Sequence, residues 1–107
     1  FIFTLLLIYI SKGTFAADSL PTIEIDPPGD KTAYQSQILT FDVHAHDPDG
    51  DHIGDITAEN LPPGAVFEGF LRLQYIPNPN SGGRFTWTPQ CGPAGDYLVT
   101  FKVFEFI

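Results

Sequence analysis

Proline and glycine interrupt this chain too often for a helical fold. Four clusters of breakers divide it: Asp26-Pro27-Pro28-Gly29-Asp30, Leu61-Pro62-Pro63-Gly64, Pro77-Asn78-Pro79-Asn80-Ser81-Gly82-Gly83 and Gly92-Pro93-Ala94-Gly95. Proline fixes φ and lacks an N–H, and glycine reaches backbone conformations that other residues avoid, so such clusters mark turns. Between them no stretch keeps an apolar stripe at helical spacing for three turns. The period is two instead. Leu39, Phe41, Val43 and Ala45 share one face of a strand, with Thr40, Asp42, His44 and His46 on the other. Tyr97, Val99, Phe101 and Val103 repeat the pattern, opposite Leu98, Thr100, Lys102 and Phe104. Shorter strands are predicted at 22–25, 53–58, 65–68, 71–76 and 84–88. Many short strands joined by Pro/Gly turns predict an all-β sandwich. Its core should combine the two inner faces above with Ile23, Ile25, Ile56, Leu61, Phe85, Trp87 and either Val66 or Phe67.

The first ten residues, Phe1 to Ile10, are almost wholly apolar. A helix needs about 20 such residues to span a bilayer, so this run fits the middle of a secretory signal peptide instead. Ser11-Lys12-Gly13 form a polar exit, and Thr14 and Ala16 put small residues at −3 and −1 of a cut before Ala17. Residues 1–16 are therefore read as a signal peptide truncated at its start, and 17–107 as one domain. The other place for the apolar run is a buried strand or helix. At the far end, Tyr97 to Glu105 alternates like an inner strand, which needs a neighbour on each side. A further strand is expected after it, so the domain is read as truncated at its end.

The net charge is −8. Removing 1–16 takes away Lys12 and no acid, which leaves four basic residues against thirteen acidic ones, a net −9. Phosphate binding needs clustered Lys and Arg, so nucleic acid is not an expected partner. Cys91 is the sole cysteine. It can form neither an internal disulfide nor, alone, a structural zinc site. The sequence has no Ser/His/Asp order, no glycine-rich phosphate loop and no evident carboxylate pair across a cleft. A non-catalytic role is expected.

The acids concentrate where the first clear strand ends, in Ala45-His46-Asp47-Pro48-Asp49-Gly50-Asp51. Three carboxylates at alternate positions, on a turn set by Pro48 and Gly50, offer the several oxygen ligands that Ca²⁺ takes. The loop is not an EF-hand, whose sixth and twelfth positions need Gly and Glu. Counted from Asp47, those positions hold His52 and Ala58. The alternative is an acidic turn in which Asp side chains accept from nearby backbone N–H groups. Two other sites are conceivable. His44, His46 and His52 suit a transition metal, and Trp87, Tyr75 and Tyr97 suit a stacked sugar. Against these, His44 and His46 alternate with core residues and Trp87 alternates with Phe85, which predicts solvated histidines and a core tryptophan.

Four segments together resemble the Ig-like domain family of the cadherin-like superfamily. They are Leu39-Thr-Phe-Asp-Val-His-Ala-His-Asp-Pro-Asp-Gly-Asp51, Leu61-Pro-Pro-Gly-Ala-Val-Phe67, Gly83-Arg-Phe-Thr-Trp-Thr-Pro89 and Ala94-Gly-Asp-Tyr-Leu-Val-Thr-Phe-Lys-Val103. The resemblance covers Pro21 to Glu105. It implies a seven-stranded Greek-key sandwich that lacks its last strand here. It also implies a tandem module of a secreted or cell-surface protein, serving adhesion or spacing. Such domains bind Ca²⁺ where consecutive domains meet. The implied ligands are Asp47 and Asp49, with Asp51 beside them. Glu105 stands where the family has an Asp at the end of its sixth strand, and Gln35 where it has a Glu before its second. The implied partners are neighbouring domains of the same chain, and a protein or carbohydrate at the surface. The alternative is an accessory domain, possibly carbohydrate-binding, on a secreted enzyme.

Overall fold

The computed structural model describes residues 2–12, 21–71, 78–90 and 94–104. It is all-β. The strands are β1 (Ile2–Lys12), β2 (Thr22–Asp26), β3 (Lys31–Tyr34), β4 (Leu39–His46), β5 (Thr57–Glu59), β6 (Val66–Gly69), β7 (Asn80–Trp87) and β8 (Gly95–Phe104). They form two four-stranded sheets, β3-β1-β8-β5 and β2-β4-β7-β6. Every pairing is antiparallel except β1 with β8, which is parallel.

The two sheets meet through the faces that the alternation marks. Phe41 of β4 stacks on Phe85 of β7, with ring centroids 4.6 Å apart, and meets Phe101 of β8 edge-on at 6.3 Å. Ile23, Ile25, Val43, Ala45, Trp87, Val99 and Val103 are buried around them. Phe67, not Val66, supplies the inward ring of β6: it contacts Phe101 at 5.2 Å, while Val66 is exposed. Leu39, Leu61 and Tyr97 pack against this core only partly buried. Two core residues fall outside the expected set. Ala33 lies on β3, a strand too short to show a period, and Ile53 is buried in a loop.

Three boundaries differ from expectation. The strand expected over 53–58 contracts to β5, with Ile53 making only an isolated bridge. The strand expected over 71–76 lies outside the described residues, apart from Leu71, which is fully exposed and not in a strand. Asn80 to Gly83, expected in a breaker, open β7 instead. The reason is aromatic. A Cβ on Gly83 would lie 2.4 Å from Phe67 Cζ and 2.7 Å from the Glu68 carbonyl oxygen. One on Gly82 would lie 2.8 Å from Phe70 Cδ2. Two consecutive glycines thus seat two rings, and the strand continues beneath them. Gly83→Ala should cost about 1–3 kcal/mol by overpacking. Gly82→Ala should cost less, because Phe70 is 39% exposed and can turn away. Urea denaturation of the two variants tests this ranking, and the reverse order would refute it.

The segment read as a signal peptide has its other place here. Ile2–Lys12 runs between β3 and β8, with ten residues in register on β8 from Phe3↔Gly95 to Lys12↔Phe104. Among the described residues, no helix is long and apolar enough to cross a membrane.

Candidate metal centre

β4 delivers the acidic loop. Its inner face ends at Ala45 and its outer face at His46, and the next inward position is Asp47. That position makes Asp47 fully buried, at 0% exposure. Its backbone N–H donates to the Pro79 carbonyl at 2.8 Å, and Gly50 N–H donates back to the Asp47 carbonyl at 3.1 Å. Gly50 closes this turn with φ +78°, where a side chain would be strained. Asp47 Oδ1 accepts from the N–H groups of Asp49 at 2.8 Å and Asp51 at 3.4 Å. One carboxylate oxygen therefore orders the loop, as the acidic-turn reading expects.

The other oxygen does something different. Asp47 Oδ2 is buried and has no hydrogen-bond partner in the structure. Burying a carboxylate oxygen without a partner is costly, and a cation removes that cost. The ligand atoms of Asp47, Asp49 and Asp51 all lie within 4.8 Å of one another. Two Ca–O bonds of about 2.3–2.6 Å span at most about 5 Å, so the three carboxylates fit one calcium-sized ion. Among the described residues this is the group of His, Cys, Asp and Glu side chains so placed.

The surroundings hold the loop firmly. Ile53 N–H donates to the Asn78 carbonyl at 3.1 Å, and Asn78 N–H donates to His52 Nδ1 at 2.9 Å. Gly54 N–H donates to the Phe104 carbonyl at 2.8 Å. The end of β8 is thereby fixed beside the acidic loop. Glu105, the residue after it, lies outside the described residues. Gln35 does not belong to this site. It precedes β4 while Asp47 follows it, and eight residues of strand separate the two ends by roughly 24 Å at about 3.4 Å per residue.

The other candidate sites are not assembled. His46 Nδ1 lies 2.7 Å from Asn80 Oδ1, His52 is engaged with Asn78, and His44 lies 6.1 Å from the Phe70 ring. The three imidazoles thus have three separate environments. Trp87 is buried, donates its Nε1–H to the Pro63 carbonyl at 3.0 Å, and meets Tyr97 edge-on at 5.3 Å. It is a core residue and offers no face to a sugar. Tyr75 and Cys91 lie outside the described residues.

The sequence gave no warning of Phe70, which crosses the outer face of the second sheet. Its ring lies 5.9 Å from the Arg84 guanidinium. Arg84 Nε in turn donates to Asp42 Oδ1 at 2.8 Å. The hydrogen bond from Arg84, aided by its charge, holds the Asp42 carboxyl below its usual range. A depressed folded pKa stabilises the protein above the unfolded value of about 3.9, and that contribution is lost as pH falls through the lowered one. Arg84→Gln should return the Asp42 titration upward into the ordinary carboxylate range, as read by side-chain carboxyl NMR. An unchanged titration would show that the pair does not persist in solution.

No known protein family, curated protein or solved structure matches this chain.

Proposed function

We propose that this chain is a non-catalytic β-sandwich module that binds Ca²⁺ through Asp47, Asp49 and Asp51, and that it serves adhesion or spacing in a secreted or cell-surface protein. The observation that carries the metal reading is the buried, partnerless Oδ2 of Asp47, set within 4.8 Å of its two neighbouring carboxylates. All-oxygen ligation favours Ca²⁺ over softer metals. Mg²⁺ is smaller and needs near-ideal octahedral geometry, so a flexible acidic loop should prefer the larger ion.

The cadherin-like Greek-key assignment is part of the same reading. Two packed four-stranded sheets and an acidic loop that leaves β4 at one end of the sandwich support it. In that arrangement Glu105 joins the ligand set, and a neighbouring domain of the same parent chain completes it. The acidic balance of the chain also suits a cation better than a polyanion. The rival role, an accessory domain of a secreted enzyme, draws no comparable support from Trp87, which is buried.

Calorimetric titration of the EDTA-stripped protein tests the proposal. Saturable one-site binding of Ca²⁺, weaker for Mg²⁺ and lost in Asp49→Asn, supports it. Absence of binding at millimolar Ca²⁺ by a folded protein would eliminate it.

A further inference from the structure

β1 occupies an unusual position. It is the sole neighbour of β3 and covers one whole edge of β8, whose other edge is met by β5 over three residues only. The segment is apolar apart from Thr4, Ser11 and Lys12. Within the described fold, its backbone ladders run to β3 and β8. The same residues carry the pattern of an export leader, so they have two competing fates. Their loss would leave β3 unpaired and β8 with an open edge about ten residues long. The two edges would then face each other across about 9–10 Å, twice the strand spacing and therefore one strand wide.

We propose that the gap between β3 and β8 is an acceptor for an extended, uncharged apolar strand of about ten residues offered by a partner protein, with Ile2–Lys12 filling it within the chain. Recognition is by main chain on both sides, as in strand addition generally. The occupant's chemistry is read from the segment seated there: no acidic residue, large aliphatic and aromatic side chains, and a length that matches β8 from Gly95 to Phe104. An unfilled acceptor would be an aggregation-prone edge, which favours its being filled. A strand can bond to β8 in either direction. The antiparallel pairing is slightly the more stable per residue, so a partner entering against β8 can displace the parallel β1.

The test begins from the intact folded chain, with a protease site placed between Lys12 and Pro21. Before cleavage, the amides of residues 2–12 should be protected from hydrogen exchange. After cleavage, a fluorescent peptide with the sequence of residues 2–12 should enter the protein, or refold it if release of β1 unfolds it, and should co-elute with it on size exclusion. The same peptide with Leu5→Asp and Leu7→Asp should not enter. Unprotected amides in the intact chain would overturn the proposal. So would failure of the labelled peptide to enter, whether the native segment stays or leaves, and so would entry of both peptides alike. None of these readouts involves calcium, so they stand apart from the metal reading.

Discussion

Saturating Ca²⁺ should raise the melting temperature of this protein by about ten degrees. A ligand at about 100 times its Kd stabilises the folded state by about 2.7 kcal/mol, and each kcal/mol is worth about 4–8 °C in a domain near 100 residues. Asp47→Asn/Asp49→Asn should abolish the gain. The double variant is informative because it leaves the loop intact. An Asn carbonyl at position 47 still accepts from the N–H groups of Asp49 and Asp51, which Asp47 Oδ1 does here at 2.8 and 3.4 Å. Only the charge is removed. In EDTA the double variant should melt no lower than the unsubstituted protein, because like charges within 4.8 Å of one another no longer repel. Differential scanning calorimetry with and without EDTA reads both effects. A folded protein whose melting ignores Ca²⁺ would reduce the loop to an acidic turn ordered by Asp47 Oδ1.

Phe85→Ala should be the most damaging single substitution in the core. Phe85 is fully buried, stacks on Phe41 at 4.6 Å, and adjoins the glycines that seat Phe67 and Phe70. Truncating such a ring costs about 3–5 kcal/mol, a large share of the roughly 5–15 kcal/mol that holds a domain together. The midpoint of urea denaturation should fall accordingly. Phe85→Leu keeps most of the volume and should lose much less. A loss below about 1 kcal/mol for Phe85→Ala would mean that the two sheets do not close over this ring.

The outer face offers a contrast. Asp42, Arg84 and Phe70 make an ion pair and a ring contact there, and surface pairs of this kind are screened by water and salt. Their substitution should shift titration and leave the fold in place. The core prediction and the surface prediction therefore have different signatures, one in the denaturation midpoint and the other in the acid limb.

Much of this was legible in residue order. Period two in β4 and β8 assigned the inner faces, because successive side chains of a strand point to opposite sides whatever lies around them. The acidic loop was legible for a similar reason: Asp47, Asp49 and Asp51 are brought together by a local turn, and Pro48 and Gly50 announce it. β3 was not legible, since four residues, Lys31–Tyr34, show too little alternation and are held only by pairing with β1. Gly82-Gly83 read as a breaker because the rings that fill their empty Cβ positions come from β6 and the residue beyond it, more than ten positions away. Gln35 seemed a ligand by order along the chain, and the extended length of β4 separates it from the loop.

What the sequence determined by itself was the set of local choices: strand over helix, which side chains share a face, where the chain turns, and which acids the turn gathers. Each follows from backbone sterics and period within a few residues. The tertiary structure alone decided that Asp47 is buried with one oxygen bonded and one bare, and that Ile2–Lys12 lies between β3 and β8. Burial depends on the opposite sheet and on Pro79, and strand pairing depends on open edges far away in sequence. Such contacts are settled by whatever unpaired backbone and apolar surface remain once the local elements have formed.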